Sequence, residues 1–301
     1  MARRIRCGGI LAGWCHGAAR NRCKECPERV EPACGGLFNP YVGCEHACKY
    51  CYASFMKRFT NHPEPWGEFL NVKRWPHIRN PEKYRGKEIF LSSVTDPYQP
   101  AEERYGRTRA LLEQLRGSGC RLSIATKSDP ILRDLDLIRS FPGARVSWSI
   151  NTLDDDFQQQ MDKAVSIGRR LEAMRIFHEA GVSTTSFISP IFLGINDPVE
   201  IIRAAKDRCD LVWLENLNLR GAYRHDILKF IDRRYPHLSG LYRQIYLEKD
   251  RSWWHGLDRK IAEFREKEGL TYVRNQDPEL AGEKRLPVVV NYFFHEEIVS
   301  R

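Results

Sequence analysis

The sequence predicts an α/β fold: an open, partial (βα)6 TIM barrel with a Cys-rich segment before it and a C-terminal cap of helices and a final strand after it. Three observations predict this. Six short apolar runs alternate with helical stretches between residues 37 and 222, which argues a parallel sheet with right-handed crossovers. Each run passes at its C-terminal end into a polar cluster, the end where such sheets carry their chemistry. The first run, Leu37-Phe38, leads at once into three cysteines on one glycine-bearing loop: Cys44, Cys48 and Cys51. Six units are too few for a closed eight-fold barrel, so the sheet is expected to stay open.

Residues 1–36 form a segment of their own. Cys7, Cys15, Cys23, Cys26 and Cys34 are separated by seven, seven, two and seven residues, and Gly8-Gly9, Gly13, Gly17 and Gly35-Gly36 break any helix or strand period. A stretch with so little apolar surface needs a staple. The reading is a second metal centre with Cys15, Cys23, Cys26 and Cys34 as ligands and Cys7 or His16 as substitutes. Cysteine-only sets serve both zinc and iron–sulfur, and a 4Fe-4S cluster is favoured over zinc. The plain alternative is free thiols.

The barrel, residues 37–222, continues with Glu88–Leu91, Arg121–Ala125, Arg145–Ile150, Thr184–Ile188 and Asp210–Leu214 as strands. A helix is expected over Arg169–Ala180, with Leu171, Met174 and Phe177 on one face and Gly181 as its stop. Another opens at Asn196-Asp197-Pro198, a cap followed by proline at the first helical position. Past the strands come Ser92 to Pro100, Thr126-Lys127-Ser128, Asn151, Ser189-Pro190 and Glu215 to Asn218. In residues 223–301, Asp226–Tyr246 and Leu257–Lys267 read as amphipathic helices flanking Trp253-Trp254-His255. Pro287–Phe294 reads as a strand covering one edge or the mouth.

The 301 residues carry ten cysteines, eight of them in the first 51, and a net charge of +9. No run is long enough to span a bilayer, and no apolar signal core precedes the first cysteines. The expectation is a cytoplasmic protein in which clustered cysteines mean metal or redox chemistry. A basic balance fits nucleic acid or an acidic electron donor such as flavodoxin or ferredoxin.

Three thiolates on one tight loop can hold three irons of a cubane cluster and leave the fourth iron open. Zinc would want a fourth ligand, and the nearest candidate, His46, lies inside the loop. Cys-x3-Cys-x2-Cys with an aromatic before the last cysteine resembles the signature of the radical SAM superfamily. That resemblance implies a 4Fe-4S cluster that binds S-adenosylmethionine (SAM) and cleaves it reductively to methionine and a 5′-deoxyadenosyl radical. Asn39 to Cys44, Ser93 to Pro100, Ala125 to Ser128 with Arg133-Asp134, and Arg170 to Ala173 with Ala180-Gly181 together resemble the spore photoproduct lyase-like branch.

The resemblance implies cluster ligation by Cys44, Cys48 and Cys51, with Tyr50 near the adenine and Tyr52 following the last cysteine. It puts Ser92 and Ser93 at the methionine amino group, Lys127 at the SAM carboxylate, and Ser149 and Asn151 near the ribose. One departure matters. The lyase carries a hydrogen-donating cysteine after its second strand, where this chain has Ser92-Ser93-Val94-Thr95, and Cys120 and Cys209 begin strands at the opposite end. A different reaction on the same platform is expected, with nucleic acid (tRNA or DNA) as the leading substrate. Peptide or protein modification is the second reading, and a metal-stapled nucleic-acid-binding module the non-enzymatic one.

Overall fold

The computed structural model describes residues 36–74, 77–91, 93–219, 221, 223–274 and 288–291. The predicted segment 1–36 therefore lies outside the described residues except for Gly36. In chain order the elements are β1 (Leu37–Phe38), β2 (Tyr41–Val42), β3 (Asn71–Val72), β4 (Glu88–Leu91), α1 (Ala101–Tyr105), α2 (Arg107–Leu115), β5 (Arg121–Thr126), α3 (Leu135–Arg139), β6 (Arg145–Ser149) and α4 (Asp155–Met161). Then follow α5 (Ile167–Glu179), β7 (Ser183–Ile191), α6 (Pro198–Ala205), β8 (Leu211–Asn216), α7 (Tyr223–Arg234), α8 (Ser239–Tyr246), α9 (Ser252–Glu268), β9 (Thr271–Arg274) and β10 (Val288–Asn291).

Eight strands form one open sheet in the order β1-β4-β5-β6-β7-β8-β10-β9. Every neighbouring pair in it is parallel. All six predicted strands are present within a few residues of their expected bounds. The predicted terminal strand extends the sheet beyond β8, and β9, which the sequence pattern did not single out, forms the outer edge. At four residues after a tight glycine turn, β9 is too short to show a period.

The helices form where sequence chemistry says they should. Asp197 caps α6 by accepting from the Val199 N–H at 3.0 Å, ahead of Pro198. In α5, Ile167, Leu171, Met174 and Phe177 are buried, and Trp148 of β6 meets Phe177 edge-on at 5.2 Å. The helix expected over 226–246 is two, because Pro236 cannot continue α7 and a short 3-10 turn separates it from α8. Helix α9 begins earlier than expected and absorbs Trp253-Trp254-His255; Trp254 is a core residue, 1 % exposed. No described helix is long and apolar enough to cross a membrane.

Between β1 and β4 the chain makes an excursion that carries the three cysteines. Its base is the antiparallel pair β2 and β3, Tyr41 opposite Val72. Gly43, φ +96°, makes the turn into the cysteine loop, and a Cβ there would stand 2.2 Å from the Phe69 carbonyl oxygen. Backbone cannot yield as a side-chain tip can, so Gly43→Ala forces strain of about 1–3 kcal/mol. We expect its denaturation midpoint to fall below that of wild type.

Candidate active site

The cysteine loop is latched to the C-terminal ends of the strands on two sides. Toward β4, Thr95 Oγ1 donates to the Gly43 carbonyl at 2.7 Å, the Glu45 N–H donates to Gln99 Oε1 at 2.8 Å, and the Ala101 N–H donates to Glu45 Oε2 at 2.6 Å. Toward α4, the Lys49 N–H donates to the Met161 carbonyl at 2.9 Å and the Lys163 N–H to the His46 carbonyl at 2.7 Å. Asn39 Oδ1 accepts from the Ser93 N–H at 3.0 Å.

Asp96 is the hub. It is 5 % exposed and accepts from Thr126 Oγ1 at 2.8 Å and the backbone N–H groups of Lys127 at 2.7 Å and Tyr98 at 2.8 Å. His46 Nε2 stands 3.1 Å from Asp96 Oδ2 and 3.1 Å from Ser128 Oγ. Burial by itself would raise the Asp96 carboxyl, but His46 and these donors hold it below its ordinary value. Arg133 and Asp134 join a separate brace, Arg133 to Glu102 at 2.5 Å and Tyr98 to Asp134 at 3.0 Å, with Glu102 also accepting from Tyr41.

Inside the loop lies a second buried group. Tyr50 turns into the sheet end, where its hydroxyl donates to Asp162 Oδ2 at 2.9 Å and accepts from Lys127 Nζ at 2.8 Å and Asn151 Nδ2 at 3.2 Å. Asp162 also accepts from Gln158 at 2.6 Å and from Arg170 at 2.8 Å, and Lys127 Nζ lies 3.5 Å from it. Arg170 is fully buried and also donates to the carbonyls of Val165 and Ser149 at 2.8 and 3.2 Å. Burial would raise the Asp162 carboxyl, yet Lys127 and Arg170 drive it well below the usual carboxylate range. Asn151 Oδ1 is buried with no partner, and so is Oδ1 of Asn196, whose Nδ2 donates to the Asn151 carbonyl at 2.6 Å.

Burial pushes the Cys44 thiol up, reinforced by Asp96 and Cys51. Burial also pushes Cys48 well up against the pull of Lys127, with Asp162, Cys51 and Cys44 adding to the rise, and it raises Cys51. The three sulfurs therefore bear on one another electrostatically, and as thiolates they would need a cationic group among them. Among the described residues no three His, Cys, Asp or Glu side chains are gathered tightly enough to hold a single ion. Thiolates serving three different irons need not meet at one point. The sulfur-only donor set and the unpaired Asn151 oxygen are what a cluster with a polar ligand beside it would use.

The Radical SAM superfamily profile matches residues 38–207, more than half of the chain. The chain belongs to the Radical SAM superfamily. An uncharacterized protein of Methanocaldococcus jannaschii is 33% identical over 207 residues, 68% of this chain and 78% of that protein. Among solved structures, SuiB of Streptococcus suis bound to the precursor peptide SuiA superposes with a TM-score of 0.52 at 14% identity, covering 84% of this chain and 48% of that one. This chain thus spans about half of SuiB. A spore photoproduct lyase variant gives a TM-score of 0.49 at 17% identity, covering 69% of this chain and 63% of that one.

Within this radical SAM fold, Cys44, Cys48, Cys51, Tyr50, Ser93, Lys127 and Asn151 come together at the strand ends. Ser149 joins them through its backbone carbonyl, and Tyr52 sits at the rim, 36 % exposed, with Cys44, Cys51 and Glu215 close enough to bear on its phenol. Ser92 and the N-terminal Cys7, Cys15, Cys23, Cys26 and Cys34 lie outside the described residues.

Asp162 was not foreseen, because it follows a helix rather than a strand. Arg170 carried a readable signal: it falls on the apolar stripe of α5 between Ile167 and Leu171, where a solvated arginine has no place. Lys127, expected to be available to a ligand, is engaged with Asp162 and Tyr50.

Asp162→Asn leaves Arg170 buried with its two carbonyl acceptors but without a counter-charge, and we expect a loss of about 3–5 kcal/mol in denaturant unfolding. The folded pKa of Asp162 lies below its unfolded value near 3.9. Its stabilisation is therefore complete above that value and is lost as pH falls below it. Wild type should lose stability on acidification through that range, and Asp162→Asn should lose less.

Proposed function

We propose that this chain is a radical SAM enzyme that cleaves SAM reductively at a 4Fe-4S cluster held by Cys44, Cys48 and Cys51 and abstracts hydrogen from a nucleic acid. The observation that carries the reading is the cysteine loop fastened to the strand ends, where its own Tyr50 accepts from Lys127 and Asn151. When bound, cluster and SAM supply a one-electron cleavage that yields methionine and a 5′-deoxyadenosyl radical, which takes a hydrogen atom from the substrate.

The chain's own residues bind and orient. Lys127 and Arg170 share one anion, Asp162, so the buried group carries an excess positive charge that a ligand carboxylate would balance. Lys127, a flexible point charge, is the member able to turn toward it. Asn151 Oδ1, unpaired and buried, is an acceptor for a ribose hydroxyl, and Ser149 ends the same strand beside it. Ser93, with Ser92 before it, follows β4 and serves the amino group, while Tyr50 and Tyr52 bound the ligand on the loop side. The second metal centre of the N-terminal cysteines is part of the proposal, with iron–sulfur preferred to zinc, and a cytoplasmic location fits both centres.

Hydrogen is not expected to return from a cysteine as in the lyase. Ser93, Val94 and Thr95 follow β4 without a thiol, and Cys120 and Cys209 are buried just before β5 and β8, at the other end of the sheet. Nucleic acid is supported by the net charge of +9 and by a groove of about 470 Å³ at the rim. The groove runs between Gly194–Pro198 and Trp253, Leu257 and Lys260 of α9. The Trp253 indole in a groove of that size suits a stacked base, while Lys260 at the same groove is paired with Asp197 at 2.7 Å.

After anaerobic reconstitution with iron and sulfide, wild type should form 5′-deoxyadenosine from SAM with dithionite, and Cys48→Ala should form none while remaining folded. Product from Cys48→Ala at the wild-type rate would sink the cluster assignment. Lys127→Ala should weaken SAM binding by about 1.5–3 kcal/mol, read by equilibrium binding to the reconstituted protein. Trp253→Ala should weaken single-stranded nucleic acid binding by about 1–3 kcal/mol, and wild type that binds no nucleic acid would remove that substrate class.

A further inference from the structure

Beyond the last cysteine the excursion builds a groove that the SAM reading leaves unused. A 3-10 helix, Tyr52–Phe59, follows Cys51, and the chain then returns to β3. Between the helix end and the β2–β3 pair lies a groove of about 440 Å³, lined by Val42, Met56, Phe59, Asn61, His62 and Asn71. Its wall is apolar: Val42 and Met56 are half-buried, and Phe59 is 57 % exposed with the Arg58 guanidinium 4.7 Å from its ring centre. His62 is fixed in place. It stacks on Phe69 at 4.1 Å, and its Nδ1 and Nε2 stand 3.2 Å from Glu64 Oε2 and 3.0 Å from Asn71 Oδ1. Asn61 is exposed and makes no hydrogen bond among the described residues. The cations nearby are Arg58, Arg74, half-buried Lys73, and Lys57, whose ammonium donates to the Pro63 carbonyl at 3.2 Å. The acids are Glu64, engaged by His62, and exposed Glu68, while Glu45 is turned to the Ala101 N–H. Charge alone is nearly balanced, so whatever binds is recognised by ring faces and hydrogen bonds.

We propose that this groove holds an unpaired base of a single-stranded nucleic acid, an inference that rests on the nucleic acid reading of the substrate. Phe59 stacks on the base, and Arg58 beside it supplies a cation for the adjoining phosphate. The Asn61 amide carries a donor and an acceptor side by side. That pair matches the adjacent donor and acceptor on the Watson–Crick edge, which only an unpaired base leaves open. Position favours a strand over a free nucleotide. The groove begins at Val42, just after β1, and the groove at Gly194–Pro198 begins just after β7. In sheet order β1-β4-β5-β6-β7 these are four strand spacings apart, about 19 Å along the sheet. The ends of β5 and β6, with Lys127 and Asn151, lie between them. A strand that places one base in each groove crosses the end of the sheet where the chemistry gathers.

The test is equilibrium binding of the reconstituted full chain to a mixed-sequence single-stranded oligonucleotide, run as RNA and as DNA, and to the same sequence annealed as a duplex. Wild type should bind the single strand more tightly than the duplex. Phe59→Ala should weaken single-strand binding about tenfold and leave duplex binding unchanged. Phe59→Leu, which keeps an apolar side chain but no ring, should shift in the same direction and guards against a collapsed groove. Asn61→Ala should narrow the preference for the single strand over the duplex. A duplex bound as tightly as the single strand overturns the proposal, as does single-strand affinity unchanged in both Phe59→Ala and Asn61→Ala. Displacement of the oligonucleotide by poly-glutamate at equal charge would show a contact of charge alone and overturns it too. If Trp253→Ala weakens single-strand binding while the Phe59 variants do not, the substrate reading stands and this groove falls. Wild type that binds neither probe removes the substrate reading and this inference with it.

Discussion

Everything at the candidate site depends on how the cysteine loop is tied to the sheet, and one buried carboxylate links the loop to two of the segments that hold it. Asp96 accepts from the end of β5 through Thr126 and Lys127, orders its own turn through Tyr98, and faces His46 from within the loop. A buried carboxylate is costly unless its lone pairs are filled. Here four groups fill them, so the loop, the turn after β4 and the end of β5 have one mutual arrangement that satisfies all three. Gln99 and Glu45 repeat the logic at the next turn, each accepting from a backbone N–H of the other's segment.

The second constraint is electrostatic. Lys127 and Arg170 approach one carboxylate, Asp162, in a place where Arg170 has no access to water. Arg170 is fixed by three acceptors, whereas Lys127 holds Asp162 at the longer distance of 3.5 Å and leans on the Tyr50 hydroxyl and ring. The group is thus asymmetric: one cation is structural and one is movable. An anionic ligand beside Tyr50 would meet the movable one. The same asymmetry orders the loop, since Tyr50 reaches this group only when Cys48 and Cys51 on either side of it are held at the strand ends.

The strands were legible because their signal is local. Apolar runs of four to six residues bounded by turns define β4, β5, β6 and β8 without reference to the rest of the chain, and Asp197-Pro198 defines the start of α6 in the same way. Cap boundaries were less legible where one residue had to be weighed against a pattern. Pro236 splits a stretch whose apolar spacing continues through it, and Trp253-Trp254 belongs to α9 because Trp254 finds a buried place there. The three cysteines and Lys127 were readable from spacing and position at strand ends, and Asn151 from the same rule. Asp162 and Asn196 were not, since their importance arises from partners 112 and 45 residues away.

By itself the sequence determined the parallel α/β architecture, the thiol-bearing loop and the end of the sheet at which chemistry gathers, because periodicity, turn residues and ligand spacing are all written in neighbouring positions. The tertiary structure decided which polar groups share a buried volume. It gave Lys127 to Asp162 and Tyr50, left the Asn151 oxygen without a partner, and turned Lys49 outward beside α7. Those outcomes follow from desolvation and charge balance among residues far apart in the chain. Such a balance exists only once packing has excluded the water that would otherwise satisfy each group alone.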